Sequence, residues 1–97
     1  MKYAIILSPE AIEDLRRLKA HLRSQVKEAI EIHLRHEPLK ESKSRVKRLR
    51  GVRRPGYRLR IGEIRVFYDV SEATVEILAV VPKSEAGEWL ERLGESK

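Results

Sequence analysis

Between Tyr57 and Tyr68 the chain reads Tyr-Arg-Leu-Arg-Ile-Gly-Glu-Ile-Arg-Val-Phe-Tyr, and the groups there that can do chemistry are Arg58, Arg60 and Arg65. A guanidinium binds phosphate through a planar two-pronged fork and stabilises negative charge developing on phosphorus. It stays protonated at any physiological pH, so it cannot act as a general base. Phe67, in the same run, offers a ring on which a nucleobase can stack. Proton transfer needs another group. Lys83, further along the chain, is the nearest candidate, its plain alternative being an ordinary exposed lysine.

The spacing shows how these groups must be held. Tyr57, Leu59 and Ile61 alternate with Arg58 and Arg60; Ile64, Val66 and Tyr68 alternate with Arg65, Phe67 and Asp69. Period-two alternation predicts two strands, and Gly62 at the first position of a two-residue loop predicts a type II′ hairpin. That loop sets residue 61 opposite 64, 60 opposite 65, 59 opposite 66 and 58 opposite 67. One face is then apolar, and the other carries Arg58, Arg60, Arg65 and Phe67. A third strand is expected over about Val75 to Val81, after a loop at Ser71–Thr74. If Val70 pairs with Val75, Leu78 lies beside Phe67 and Val80 beside Arg65. Arg60 and Arg65 are directly opposed like charges, a pairing that costs roughly 0.2–1 kcal/mol in a sheet. An anionic partner is the simplest reason to keep them together; neutralisation by Glu76 or Asp69 is the alternative.

Upstream, residues 2–7 read as a short strand with Tyr3, Ile5 and Leu7 on one face. Ser8-Pro9-Glu10 is a helix start: a serine cap, proline in the first turn, an acid beside it. The apolar stripe Ile12, Leu15, Leu18 and Leu22 continues that helix, and a second runs from about Ser24 to His36 until Pro38 stops it. Residues 39–56 read as mostly loop, and Ser84 to Leu93 as a short closing helix. The expected fold is α+β: a single domain over residues 1–97, with a small antiparallel sheet packed on one face against an N-terminal helical hairpin.

The composition narrows the partners. Of 97 residues, 41% are hydrophobic, which suits a globular chain, and 37% are charged. Residues 40–60 hold ten bases and one acid, Glu41, a net of +9; the other 76 residues hold 11 bases and 14 acids, a net of −3. So concentrated a charge is the footprint of a nucleic-acid binder, and Lys47, Arg48, Arg50, Arg53 and Arg54 join the candidates for substrate contact. A solvated basic loop is the plain alternative. The absence of cysteine excludes disulfides, thiolate zinc sites and cysteine catalysis. His33 and His36 lie three apart on a helix, with His21 the only other histidine and no clear acid ligand, so no metal site is expected. Glu13-Asp14 is expected to face solvent or Arg16 and Arg17. The run Ala4–Leu7 is too short for a signal peptide or membrane span, so a cytoplasmic protein is expected.

The hairpin run resembles the "YRlRiGdyRViY" hairpin of the RelE/ParE toxin superfamily, and Ser8-Pro9-Glu10-Ala11, the helical hairpin and Lys47-Arg48-Leu49-Arg50-Gly51 also follow its pattern, over about residues 2–83. The resemblance implies the RelE/ParE-like fold and a toxin restrained by a cognate antitoxin. It implies one of two activities. In the RelE branch the toxin is an endoribonuclease cutting mRNA in the ribosomal A site. In the ParE branch it poisons DNA gyrase. A non-catalytic RNA-binding member is a third reading. By position, the basic residues that polarise the scissile phosphate become Arg58, Arg60 and Arg65. A further family arginine falls at Lys83, and a tyrosine that stacks on substrate falls at Trp89. Lys83 keeps the charge without the fork; Trp89 stacks but has no phenolic proton, and lost proton transfer costs roughly 10²–10⁴ in rate. The partners implied are the antitoxin and mRNA on the ribosome, with rRNA contacts through residues 40–60; no cofactor, metal or membrane is implied.

Overall fold

The computed structural model describes residues 1–96; Lys97, the end of the expected domain, lies outside the described residues. The first strand, β1 (Ala4–Leu7), leads into α1 (Pro9–Arg17). Ser8 caps α1 as the sequence implies, accepting from the Ala11 N–H at 3.1 Å. The chain turns at Leu18-Lys19, and α2 (Ala20–Leu34) follows. Its start is four residues earlier than expected, so Leu22 belongs to α2. Arg23 braces the tight turn: Nε donates to the Leu15 carbonyl, which also accepts from the Leu18 N–H, and Nη2 donates to the Leu18 carbonyl. The helix stops at Leu34, before His36; Pro38 has no N–H for the Leu34 carbonyl, and the Arg35 carbonyl instead accepts from the Tyr3 N–H.

Then come β2 (Val46–Arg48), β3 (Val52–Arg54), β4 (Tyr57–Ile61), β5 (Ile64–Ser71), β6 (Thr74–Pro82), α3 (Lys83–Leu93) and β7 (Glu95–Ser96). The main sheet has the order β1-β6-β5-β4-β2; it is antiparallel except for the parallel pair β1–β6. The β4–β5 register is the expected one, from Tyr57 opposite Tyr68 to Ile61 opposite Ile64, with Gly62 at φ +55°. Two pieces of the expected loop are strands instead. Val46 pairs with Leu59 and is 3% exposed, so β2 extends the sheet. Meanwhile β3 pairs with β7 in a separate two-stranded ladder. Each is too short for alternation to show in a run this rich in charge.

The β5–β6 pairing departs from expectation halfway along. Val70 does face Val75, but the register shifts at Leu78, so Ala79 lies opposite Phe67 and Val81 opposite Arg65. Polar groups hold this bulge. The Ser8 hydroxyl donates to the Leu78 carbonyl at 3.1 Å, and Asp14 Oδ2 accepts from the Val80 N–H at 2.9 Å. Asp14 thus points into the sheet, with Arg17 at 3.8 Å beside it. The shift turns Val80 into the main core.

That core lies between the helical hairpin and one sheet face: Ala11, Leu15, Val26, Ile30 and Leu34 meet Leu59, Val66, Tyr68, Val75, Ile77 and Val80. Helix α3 does not join them. It crosses the opposite face, where Ala86, Trp89 and Leu90, with Leu49, cover Phe67, Ala79 and Val81. The expected packing of one face against the hairpin holds, and α3 covers the other face.

Asp14→Ala leaves the Val80 N–H unsatisfied and is expected to destabilise the fold by about 1–3 kcal/mol. Urea unfolding measures this; an unchanged midpoint would show that Asp14 does not hold the bulge.

Candidate functional site

The strand arginines gather on the face beneath α3. Pairing across the sheet builds three rows. At the turn end, Arg60, Arg65 and Val81 are neighbours; next come Lys47, Arg58, Phe67 and Ala79; then Asp69 and Glu76. Lys47 enters the cluster only because β2 exists. Lys83 begins α3, and its N–H donates to the Glu63 carbonyl at 2.7 Å, which ties the helix start to the hairpin turn at the arginine end.

Burial differs along the cluster. Arg60, Lys47 and Lys83 are exposed. Arg65 is 6% exposed, with Nη1 donating to the Gly62 and Ile64 carbonyls at 2.8 and 3.0 Å. Arg58 is half-buried and its Nε has no hydrogen-bond partner. Burial, then the charges of Arg65 and Arg60, push its pKa down. Phe67 departs from expectation: it is 1% exposed and not an open platform. The Trp89 indole already stacks on it, 4.8 Å between centroids and 8° between planes. Trp89 and Phe67 thus meet each other, where the sequence assigned both to substrate.

The carboxylates that could have neutralised the arginines are held elsewhere. Arg54 binds Glu76 at 2.8 Å, Asp69 at 3.2 Å and Glu95 at 3.9 Å, while Arg53 binds Glu95 at 3.1 Å. The Arg54 pKa is raised, chiefly by its hydrogen bond to Glu76. Asp69 accepts from the Gly56 N–H at 2.6 Å, yet burial outweighs that bond and Arg54 and raises its pKa. Among the described residues no acid forms a salt bridge with Lys47, Arg58, Arg60, Arg65 or Lys83.

The basic segment therefore divides. Arg53 and Arg54, expected to contact substrate, are committed to acids. Arg48 lies over the Tyr57 ring, 5.8 Å from its centroid, and Arg50 is exposed beside Gly51. Lys47 alone of the five joins the strand arginines. Arg45, which sequence reading counted only as charge, reaches the Arg60 carbonyl with Nη1 at 3.3 Å. Among the described residues no three metal-ligating side chains gather, and no helix is long and apolar enough to cross a membrane. The cluster is suited to hold a phosphodiester and to stabilise charge on it.

The family model for the ParE toxin of type II toxin–antitoxin systems, parDE, matches residues 5–87. No curated protein matches the chain. Among solved structures, it is similar to the archaeal RelE–RelB complex from Pyrococcus horikoshii OT3, with TM-score 0.70 and 28% identity over 86% of this chain and 97% of the matched one. The toxin–antitoxin complex RelBE2 from Mycobacterium tuberculosis gives TM-score 0.67 and 27% identity over 84% and 99%. A mutant of the E. coli toxin RelE in the free state gives TM-score 0.74 and 24% identity over 94% and 93%, a likeness of fold.

Arg54→Ala is expected to cost about 1–3 kcal/mol at neutral pH, because it strands the partly buried Asp69 carboxylate. An acid whose folded pKa is raised contributes stability at low pH that is lost as pH rises through that pKa. Losing Arg54 raises it further, so the deficit should shrink as pH falls toward the carboxylate range. Denaturation curves across pH check this; a deficit independent of pH would contradict it.

Proposed function

The chain belongs to the ParE toxin family of type II toxin–antitoxin systems, within the RelE/ParE superfamily, and from that premise we propose that it is a ribosome-dependent endoribonuclease cutting mRNA in the A site. One observation carries this reading: Lys47, Arg58, Arg60 and Arg65 share one face while Arg54 holds the acids at its far end. Like charges kept together without carboxylates favour an anion, and a phosphodiester matches the guanidinium forks.

The chemistry is attack by a ribose 2′-oxygen on the adjacent phosphorus. The new P–O2′ bond forms, the P–O5′ bond breaks, the 2′ proton passes to solvent water and the 5′-oxygen gains one. Arg58, Arg60 and Arg65 stabilise the added charge on phosphorus. Lys83, at the start of α3, is the candidate donor toward the leaving oxygen. Trp89 supplies no proton, so the ribosome's alignment of the message carries much of the rate, through proximity rather than acid–base exchange. Because α3 covers Phe67, a base can stack on that ring only when α3 shifts.

The partner follows from the same charge. The complexes of relatives pair RelE with RelB. For this chain we propose a cognate antitoxin that lays a helix or acidic segment across the cationic face or displaces α3. A complex that leaves this face bare would refute it.

Gyrase inhibition is the second reading. The stack of Trp89 on Phe67 favours it, since it closes the face and puts an indole where a phenol would ionise.

Primer extension on message translated in vitro separates the readings. Cuts only on ribosome-bound message, inside the A-site codon, support the endoribonuclease. Intact message with arrested translation points to RNA binding without cleavage; intact message, normal translation and lost supercoiling by purified gyrase point to the ParE activity. Arg60→Ala is expected to cut cleavage on the order of 10²-fold or more. Arg60 is exposed and opposed by Arg65, so folding should be unharmed. A fully active variant would remove Arg60 from the site.

A further inference from the structure

We propose that the corner where α2 leads into β2 is a second phosphodiester pocket, lined by His33, His36, Lys40, Ser42 and Arg45, which holds an RNA strand apart from the arginine row. The proposal rests on the reading that this protein binds RNA. A cavity of about 230 Å³ lies at that corner, and these five side chains line it with Glu37. All five can donate a hydrogen bond. The sole carboxylate, Glu37, is drawn to Lys40 at 3.8 Å.

The details favour an anion. The Ser42 Oγ accepts from the Arg45 and Val46 N–H groups at 3.0 and 3.1 Å, which leaves its own proton to donate outward. His36 Nδ1 is 3.3 Å from the Met1 carbonyl and donates to it, which fixes the ring at the pocket's edge. Arg45 joins the pocket to the edge of β4. Its carbonyl accepts from the Arg60 N–H at 2.8 Å, and its guanidinium reaches the Arg60 carbonyl.

His33 gives the pocket a pH signature. Burial, then the charge of Arg45, lower its pKa. The groups around it are His36 on α2, Glu37 and Lys40 on the following segment, Arg45 ahead of β2, and Glu28 and Glu63 across the depression on its other side. In the free protein His33 is neutral at neutral pH. A bound phosphate favours the imidazolium and raises the pKa, so a proton is taken up on binding and affinity rises as pH falls.

The test titrates the full-length protein with a labelled 2′-O-methyl oligoribonucleotide, which has no 2′-hydroxyl to attack, by fluorescence anisotropy. Titrations run at about pH 6 and about pH 8 over a range of salt. The wild type should bind more tightly at the lower pH, and His33→Gln should abolish most of that difference. Arg45→Ala should weaken binding roughly three- to tenfold and lower the log–log salt slope by about one, while Arg45→Lys recovers much of the affinity. Wild-type affinity in both His33→Gln and Arg45→Ala would overturn the pocket, as would wild-type binding that ignores pH. Because the probe is not cleaved, these results stand apart from the test on ribosomes. A pocket that fails while message is cut leaves the endoribonuclease reading intact, and a pocket that binds while message stays whole does the reverse.

Discussion

Arg60 and Arg65 face each other across an antiparallel pair, and the arrangement of charge on that side of the sheet follows from this repulsion. Opposed like charges cost a sheet up to about 1 kcal/mol, and nearby carboxylates would ordinarily remove the cost. Here Asp69 lies on the same face two residues beyond Phe67, with Glu76 opposite it. Neither reaches the arginines, because Arg54 engages both together with Glu95. The result is a face divided along its length. One end is internally neutralised; the other keeps its positive charge without a carboxylate beside it.

The two faces of the sheet carry different burdens. The helical hairpin buries a continuous core, and the Ser8 and Asp14 contacts at the bulge bring Val80 into it. Helix α3 is held more lightly: none of its residues is fully buried, and its anchors are the Trp89 stack, the Lys83 N–H at the hairpin turn and the adjoining β7 strand. An element with so few buried contacts opens at lower free energy than the core, and this one covers Phe67, Ala79 and Val81. Stability and access are thus assigned to opposite sides of one sheet.

The hairpin and its charged face were legible in the sequence because both depend on neighbours in the chain. Alternation from Tyr57 to Tyr68 and the Gly62 turn specify pairing within a dozen residues, so Arg58, Arg60 and Arg65 could be placed on one face directly. The Ser8 cap was legible for the same reason. Less could be read where the signal was short. Val46–Arg48 is too brief to show a period, so Lys47 was not seen as a neighbour of Arg58. The start of α2 at Ala20 depends on Arg23 reaching back to the end of α1, and no local pattern announces it.

By itself, then, the sequence determined the α+β class, the hairpin register and a cationic strand face, since period and turn chemistry act over a few residues. Tertiary structure alone decided which acid meets which base, where the β6 register slips and what lies over Phe67. Each of those depends on groups far apart in the chain: Arg54 with Glu95, Asp14 with Val80, Phe67 with Trp89. Such pairings are chosen by which surfaces burial brings together, and no spacing along the chain encodes that choice.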